Sequence, residues 1–256
     1  MALFHGLGDG LHTLRPVAKR WQAALPRTAF LLMEAPDRDY FQREMLDGSF
    51  SGDWFSESLR PRAAGETAEQ AYTATIAARC DGVNAELNRH MRGLGVGNRQ
   101  LVLSGFSQGA ALSAYAGLRR GCLGVLPLGG PCQAPAVREA LLPRHNDVTR
   151  VCVVVGSRDE YASASELRAA FSRYGGNAAA AAATAAKLTP PATLGTAATD
   201  GVHVVEGLRH EVGEESILIG LRFLKSMFGS SRASARASAR SSGPRAACRA
   251  AARGTT

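Results

Sequence analysis

Arg99-Gln-Leu-Val-Leu-Ser-Gly-Phe-Ser-Gln-Gly109 is the stretch that decides the fold of this 256-residue chain. Its apolar run Leu101–Leu103 predicts a buried strand, and the Ala-rich residues 108–118 predict a helix directly after it. Between them, the pattern Gly-x-Ser-x-Gly places Ser107 at a sharp turn, where the flanking glycines leave room for a strained serine backbone. Such a turn lifts the serine hydroxyl clear of the sheet and makes it a candidate nucleophile.

The same alternation of short apolar runs and helix-compatible segments continues along the chain. The apolar runs are Ala2–Phe4, Ala29–Met33, Leu101–Leu103, Leu123–Leu128, Val151–Val155 and Val202–Val205. The helical segments are Leu14–Ala24, Thr67–Arg92, Gln108–Arg119, Ala134–Leu142, Ser163–Tyr174 and Glu214–Phe228. Unbroken apolar strands between helices are typical of a parallel sheet that is covered on both faces. The sequence therefore predicts an α/β fold with a mostly parallel central sheet and helices on both faces.

Composition divides the chain into a domain and a tail. Residues 1–228 have the length of one large α/β domain, and residues 175–200 form a low-complexity insertion with six consecutive alanines. Residues 229–256 contain six arginines and no acidic residue, so the tail accounts for most of the net charge of +8. Like charges at four-residue spacing disfavour a stable helix, and we predict that the tail is disordered.

The remaining composition excludes several classes of protein. The basic residues are concentrated in the tail, so we expect no nucleic-acid partner and at most a weak contact of the tail with anionic membranes. The cysteines lack the spacing of metal ligands, and Cys122 and Cys152 lie in apolar runs as buried thiols. Neither a secretory signal nor a membrane-spanning run is apparent. We predict a cytoplasmic protein without a metal or cofactor.

A serine nucleophile needs an orienting acid, which in an open α/β sheet lies beyond the carboxyl end of a strand. Asp159 satisfies this condition, because it follows the run Val151–Val155 in a short loop. Its neighbour Glu160 is the alternative. Asp147 and Asp200 precede strands and lie at the wrong end. Position leaves Asp159 and Glu160, and we select Asp159 because it is the one that fits the family pattern described below.

The general base is expected in a loop that can reach Ser107. His203 alternates with valines and is predicted to be a strand side chain, whereas His210 follows that strand and precedes the last helix. Only His210 therefore occupies a suitable loop. The chain order Ser107, Asp159, His210 leaves one strand and helix between successive members and is the order found in α/β-hydrolases.

Two backbone N–H groups are predicted to form the oxyanion hole. The first belongs to Gln108, directly after the nucleophile. The second is assigned to Leu7 in Phe4-His-Gly-Leu-Gly-Asp9, where small residues let the backbone approach a substrate carbonyl. This loop lacks the lysine of a phosphate-binding P-loop and the full dinucleotide-binding glycine pattern, which argues against phosphate binding.

These motifs together resemble the acyl-protein thioesterase/carboxylesterase family, which is also described as lysophospholipase-like. The resemblance rests on His5-Gly-Leu-Gly-Asp9, Gly105-Phe-Ser-Gln-Gly-Ala-Ala-Leu-Ser113, Asp159 and Glu206-Gly-Leu-Arg-His210. It extends over most of residues 2–228. The resemblance implies an α/β-hydrolase fold and substrates with acyl chains in ester or thioester linkage, including S-acylated proteins and lysophospholipids.

The resemblance also suggests where the acyl group binds. Trp54-Phe55 is similar to a Trp-Phe pair of the family, and we take both residues as candidates for the acyl pocket. Residues 128–132 depart from the usual family pattern after the corresponding strand, which bears on the shape of that pocket. A lysophospholipase that acts at membranes and a non-catalytic binding protein with the same fold remain the alternatives.

Overall fold

The computed structural model describes residues 1–36, 48, 51–55, 62–144, 146, 148–174 and 200–228. Apart from Asp200, the predicted low-complexity insertion at residues 175–200 lies outside this part of the chain. The predicted tail at residues 229–256 lies outside it as well. The division into a domain, an insertion and a tail therefore stays a prediction.

The described strands form one six-stranded sheet in the order β2-β1-β3-β4-β5-β6, and every neighbouring pair is parallel. The strands are β1 (Ala2–Phe4), β2 (Leu31–Met33), β3 (Val102–Phe106), β4 (Gly124–Leu128), β5 (Arg150–Gly156) and β6 (Gly201–Val205). Each coincides with one of the predicted apolar runs, shifted by no more than a few residues. The predicted parallel sheet is confirmed.

Six α-helices accompany these strands in the described residues. They are α1 (Leu11–Ala24), α2 (Ala68–Leu94), α3 (Gln108–Arg120), α4 (Pro135–Leu141), α5 (Ala164–Phe171) and α6 (Glu214–Phe228). Three of the predicted helices begin one residue too early, at Thr67, Ala134 and Ser163, which are the N-cap residues of α2, α4 and α5. Thr67 and Ser163 cap the first turns with their side chains instead of joining them. None of the helices described is long and apolar enough to cross a membrane.

Helices cover the sheet on both faces, as predicted. Helices α2, α3, α4 and α5 pack on one face, and α1 and α6 pack on the other. Strand β5 shows why its sequence is continuously apolar: Val151, Val153 and Val155 enter the first core, and Cys152 and Val154 enter the second. Burial raises the pKa of the Cys152 thiol above its ordinary range, so this cysteine is a buried thiol, as predicted.

The N-terminal end of α3 packs directly against the carboxyl end of β1. A Cβ atom at Gly109 would lie 2.1 Å from the carbonyl oxygen of Phe4, and one at Gly105 would lie 2.3 Å from the carbonyl oxygen of Gly109. No side chain larger than hydrogen fits at either position without a shift of the backbone. The two glycines of the serine motif therefore bring the strand end and the helix start into contact.

We expect the Gly109→Ala substitution to lower the free energy of unfolding by about 1–3 kcal/mol, because the added methyl group must displace backbone atoms. Gly82→Ala is the matched control. Gly82 lies inside α2 and has no neighbour within 4 Å of an added Cβ, so this substitution should raise the free energy of unfolding by about 0.5–1 kcal/mol. Urea denaturation measures both changes. Equal effects at the two positions would contradict the close approach of α3 to β1.

Candidate active site

The candidate site lies at the carboxyl edge of the sheet. Ser107 follows β3, Asp159 follows β5 and His210 follows β6, so parallel strands bring these three residues to the same edge. Asp200 lies at the opposite edge, where its carboxylate accepts a 2.7 Å hydrogen bond from Arg150 at the start of β5. Asp200 therefore lies at the end of the sheet that its place in the sequence predicted. Asp147 lies outside the described residues.

Ser107 occupies a strained turn between β3 and α3. Its backbone has φ 54° and ψ −113°, and it is the only non-glycine residue with positive φ in the described part of the chain. Such a conformation costs on the order of 1–3 kcal/mol and persists only where the surroundings enforce it. The Ser107 N–H donates to the carbonyl oxygen of Leu128 at 3.0 Å, which ties the turn to the end of β4.

Asp159 lies in a largely exposed loop after β5, but its own side chain points inward. Its Oδ1 accepts hydrogen bonds from the backbone N–H groups of Tyr161 and Ala162, each at 3.0 Å. The carboxylate side chain is 0 % exposed. Glu160, the alternative acid, instead forms a 3.6 Å ion pair with Arg209 and is 43 % exposed. Of these two carboxylates, the structure places only Asp159 against His210.

His210 connects the other two residues. Its Nδ1 lies 2.9 Å from Asp159 Oδ2, and its Nε2 lies 2.9 Å from Ser107 Oγ. Because an ionised carboxylate can only accept, Nδ1 carries the proton of the neutral ring. Nε2 is then free to accept the proton of the serine hydroxyl. His203 lies in β6, where the alternation of its neighbours placed it.

The loops that carry Asp159 and His210 are joined by hydrogen bonds of their backbone N–H groups. The Arg158 N–H donates to the carbonyl oxygen of Leu208 at 2.9 Å, and the Gly207 N–H donates to Ser157 Oγ at 2.8 Å. A Cβ atom at Gly156 would lie 2.1 Å from the same Leu208 oxygen. The two loops therefore form one unit that fixes the acid relative to the base.

The N–H groups predicted for the oxyanion hole follow neighbouring strands, since Leu7 comes after β1 and Gln108 after β3. Gln108 is the first residue of α3. The first N–H groups of a helix lack acceptors within it and lie at the positive end of its dipole. The turn around Leu7 is fixed by the Gly8 N–H, which donates to the carbonyl oxygen of Gly52 at 2.9 Å. The oxyanion role of both N–H groups stays a prediction.

Sequence analysis did not assign a role to the side chain of Gln108. Its Oε1 accepts the Trp54 N–H at 2.8 Å, and its Nε2 donates to Asp53 Oδ1 and to the carbonyl oxygen of Phe55, each at 2.7 Å. The Gln108 side chain thus holds residues 53–55 against the start of α3. Only its position after the serine could have drawn attention to it.

The candidates for the acyl pocket, Trp54 and Phe55, are both buried in the core. The Trp54 indole N–H donates to the carbonyl oxygen of His5 at 2.9 Å, and its ring packs edge-on against Phe4 with centroids 5.5 Å apart. Trp54 therefore supports the loop after β1 from the side of the core. Residues 37–47, 49–50 and 56–61 lie outside the described part of the chain, and the acyl-pocket assignment stays a prediction.

Two aromatic side chains that the sequence analysis overlooked flank the His210 ring. The centroid of Phe106 lies 4.9 Å from that of the imidazole, and the centroid of Tyr161 lies 4.8 Å from it. Phe106 directly precedes Ser107, and Tyr161 follows Asp159 by two residues. Their closeness in sequence to Ser107 and Asp159 is the signal that could have identified them.

Cys132 is the nearest thiol in sequence to the β4 end of the site. Burial raises its pKa to about 12, so it is protonated at neutral pH and does not offer a competing thiolate. Its Sγ donates to the carbonyl oxygen of Gly129 at 3.1 Å.

In the described residues, no three His, Cys, Asp or Glu side chains are grouped to hold a metal ion.

Comparison with known proteins supplies a family match for most of the chain. A family model described as phospholipase/carboxylesterase matches residues 1–174. The matched residues include Ser107 and Asp159 but end before β6, so the position of His210 rests on the geometry described above. A comparison with curated protein sequences finds no match.

Several solved structures have a similar fold, and three examples have low sequence identity to this chain. Esterase PE8 is 20% identical with a TM-score of 0.57, over 88% of this chain and 91% of that chain. SOBER1 of Arabidopsis thaliana is 18% identical with a TM-score of 0.56, over 89% and 97%. YahD with malic acid is 15% identical with a TM-score of 0.57, over 88% and 92%. Together with the family match, these likenesses confirm the predicted α/β-hydrolase fold.

His5, in the loop after β1, makes the stability of this end of the sheet depend on pH. Its Nδ1 donates to the carbonyl oxygen of Gly6 at 2.8 Å, and its Nε2 accepts the Ala35 N–H at 3.0 Å. Both contacts fit the neutral ring. Burial lowers the pKa of His5 below its ordinary value of 6.5, and the acidic groups of Asp9 and Glu34 oppose this only in part.

Because the pKa of His5 is lower in the folded state, the unfolded chain binds more protons as the pH falls below about 6.5. The stabilisation by neutral His5 is therefore fully present above that pH and is lost on acidification, by at most about 1.4 kcal/mol per pH unit. We expect His5→Gln, which retains a donor and an acceptor, to reduce the pH dependence of the free energy of unfolding. Urea denaturation at several pH values measures it. An unchanged slope in His5→Gln would rule out this role.

Proposed function

The chain belongs to the phospholipase/carboxylesterase family of α/β-hydrolases, and from this premise we propose that it is a serine hydrolase that cleaves acyl esters or thioesters. One observation carries the proposal. His210 lies within hydrogen-bond distance of both Ser107 Oγ and the Asp159 carboxylate, at 2.9 Å on each side. This is the arrangement that a serine nucleophile, a general base and an orienting acid require.

In the first step, Ser107 Oγ attacks the acyl carbonyl carbon while His210 Nε2 accepts the hydroxyl proton. A bond forms between Oγ and the carbonyl carbon, and the carbonyl π electrons move to its oxygen. The buried Asp159 carboxylate stabilises the imidazolium that results and keeps the ring in the orientation that Nε2 needs.

The oxyanion that develops is assigned to the N–H groups of Leu7 and Gln108. Both are backbone donors on fixed turns, so they need no rearrangement as the charge forms. Removal of one such donor costs on the order of 10²–10³ in rate in other hydrolases. The Gln108 side chain contributes indirectly, because its hydrogen bonds hold residues 53–55 beside the start of α3.

Collapse of the tetrahedral intermediate releases the leaving group, which takes the proton from His210 Nε2. The acyl group remains as an ester on Ser107. Water then attacks the carbonyl carbon of this ester while His210 Nε2 accepts a proton from the water. The bond between Ser107 Oγ and the carbonyl carbon breaks, Oγ takes the proton back from His210, and the free carboxylic acid leaves. A thiol leaving group, with an ordinary pKa of about 8.5, needs less help from His210 than an alcohol does, so the same site serves both linkages.

The strain at Ser107 supports catalysis over a non-catalytic binding role. A positive φ at a residue other than glycine costs stability, and binding alone gives no reason to retain it beside an ordered imidazole and a buried carboxylate. We extend the proposal to S-acylated proteins and lysophospholipids as substrates on the basis of the family resemblance. Anionic membrane contact through the tail and a cytoplasmic location stay predictions.

A comparison of adjacent carboxylates tests the proposed roles. We expect Asp159→Asn to lower kcat by about 10⁴, because the amide cannot hold His210 in the tautomer that accepts the Ser107 proton. Glu160→Gln is the matched control and should retain wild-type activity, since Glu160 pairs with Arg209 and not with His210. Hydrolysis of 4-nitrophenyl butyrate provides the measurement.

Labelling by a fluorophosphonate probe tests the nucleophile directly. Wild type should be labelled, and Ser107→Ala should not be. In the separate comparison of carboxylates, equal losses of 4-nitrophenyl butyrate hydrolysis in Asp159→Asn and Glu160→Gln would refute the assignment of the acid. A folded wild-type protein that the probe does not label would refute the proposed function itself.

A further inference from the structure

Tyr161 is the exposed aromatic residue at the catalytic imidazole. Its ring lies edge-to-face with that of His210, at an interplanar angle of 66° and a centroid distance of 4.8 Å. Tyr161 is 66 % exposed as a whole residue, whereas the side chain of His210 is only 11 % exposed. Phe106 contacts the imidazole as well, but it is half-buried at the end of β3. Tyr161 therefore presents the more open aromatic surface beside His210.

The position of Tyr161 is fixed by the same carboxylate that orients the base. Its backbone N–H donates to Asp159 Oδ1 at 3.0 Å, and the neighbouring Ala162 N–H donates to the same oxygen. The backbone at residue 161 is thus anchored, although the ring projects into solvent. The contact with the His210 ring restricts the Tyr161 ring itself, so it is a defined surface that loses less conformational freedom when a ligand packs on it.

The chemistry of acyl transfer determines which part of a substrate comes near this ring. His210 Nε2 must come within hydrogen-bond reach of the leaving atom in order to protonate it. The atoms attached to the leaving atom then lie close to the imidazole. They are also within reach of the Tyr161 ring, whose centroid lies 4.8 Å from the centroid of the imidazole. The acyl chain, in contrast, extends from the carbonyl carbon that Ser107 attacks.

We propose that Tyr161 determines specificity for the leaving group and favours esters and thioesters of aromatic alcohols and thiols over those of small alkyl ones. An aromatic leaving group can stack on the Tyr161 ring or meet its edge, and a methyl group is too small to do so. This inference rests on the proposed function, because it assumes that His210 protonates the leaving group.

Two esters with the same acyl group isolate this contact. We expect Tyr161→Ala to lower kcat/KM for phenyl butyrate by about 3- to 10-fold, the range of a single aromatic contact, and to leave kcat/KM for methyl butyrate unchanged. Tyr161→Phe, which keeps the ring, should retain the wild-type ratio of the two constants. Leu94→Ala is the control, because it removes another exposed apolar side chain, 61 % exposed, at the end of α2.

Deacylation distinguishes specificity from mere positioning of the base. The butyryl-enzyme has lost its leaving group, but its hydrolysis still uses His210. Its rate in single-turnover experiments should therefore be the same in wild type and in Tyr161→Ala. A ring that only positions His210 would instead slow deacylation and both acylation reactions alike.

Each outcome decides the matter. Three results would overturn the inference and leave the proposed function intact. They are equal losses of kcat/KM for the two esters in Tyr161→Ala, slower deacylation in Tyr161→Ala, or a changed ratio of the two kcat/KM values in Tyr161→Phe. Failure of wild type to form a butyryl-enzyme would overturn the proposed function and the inference with it. A selective loss for the phenyl ester with unchanged deacylation supports both.

Discussion

The contact between the start of α3 and the end of β1 is the constraint on which the site depends. Gly105 and Gly109 allow backbone atoms to approach where any Cβ would lie closer than 2.5 Å to a carbonyl oxygen. This approach brings the turn at Ser107 beside the loop that carries Leu7. The proposed nucleophile and the proposed oxyanion-hole donors follow different strands and need this proximity, which the close backbone packing provides.

A second layer of interactions turns this proximity into an ordered site. Asp159 is buried and already accepts two backbone N–H groups, so it meets His210 as a carboxylate of fixed orientation. The Gln108 side chain performs a similar task on the other side, where it holds residues 53–55 against the helix start. In both places, one side chain joins segments more than 50 residues apart in the chain: Asp159 meets His210, and Gln108 binds the backbone of Trp54.

The sequence was sufficient to predict the sheet, the helices and the positions of Ser107, Asp159 and His210, because each depends on local pattern and on the rule that strand ends meet at one edge. The side-chain contacts of Gln108 and the ring of Tyr161 beside His210 were not predicted. They depend on which loops meet in three dimensions, with partners up to 55 residues away in the chain. Asp159 was preferred to Glu160 partly by family resemblance, and the structure supplies a physical reason, since only the former is buried against the imidazole.

The central claim is that Ser107 carries the acyl group during turnover. Rapid-quench mass spectrometry during hydrolysis of 4-nitrophenyl butyrate tests it most directly, because the acyl-enzyme is trapped before water removes the acyl group. We expect a butyryl group on the peptide that contains Ser107, formed as fast as the first nitrophenol is released. Turnover without acylation of Ser107, or with the acyl group on another residue such as Cys132, would contradict it.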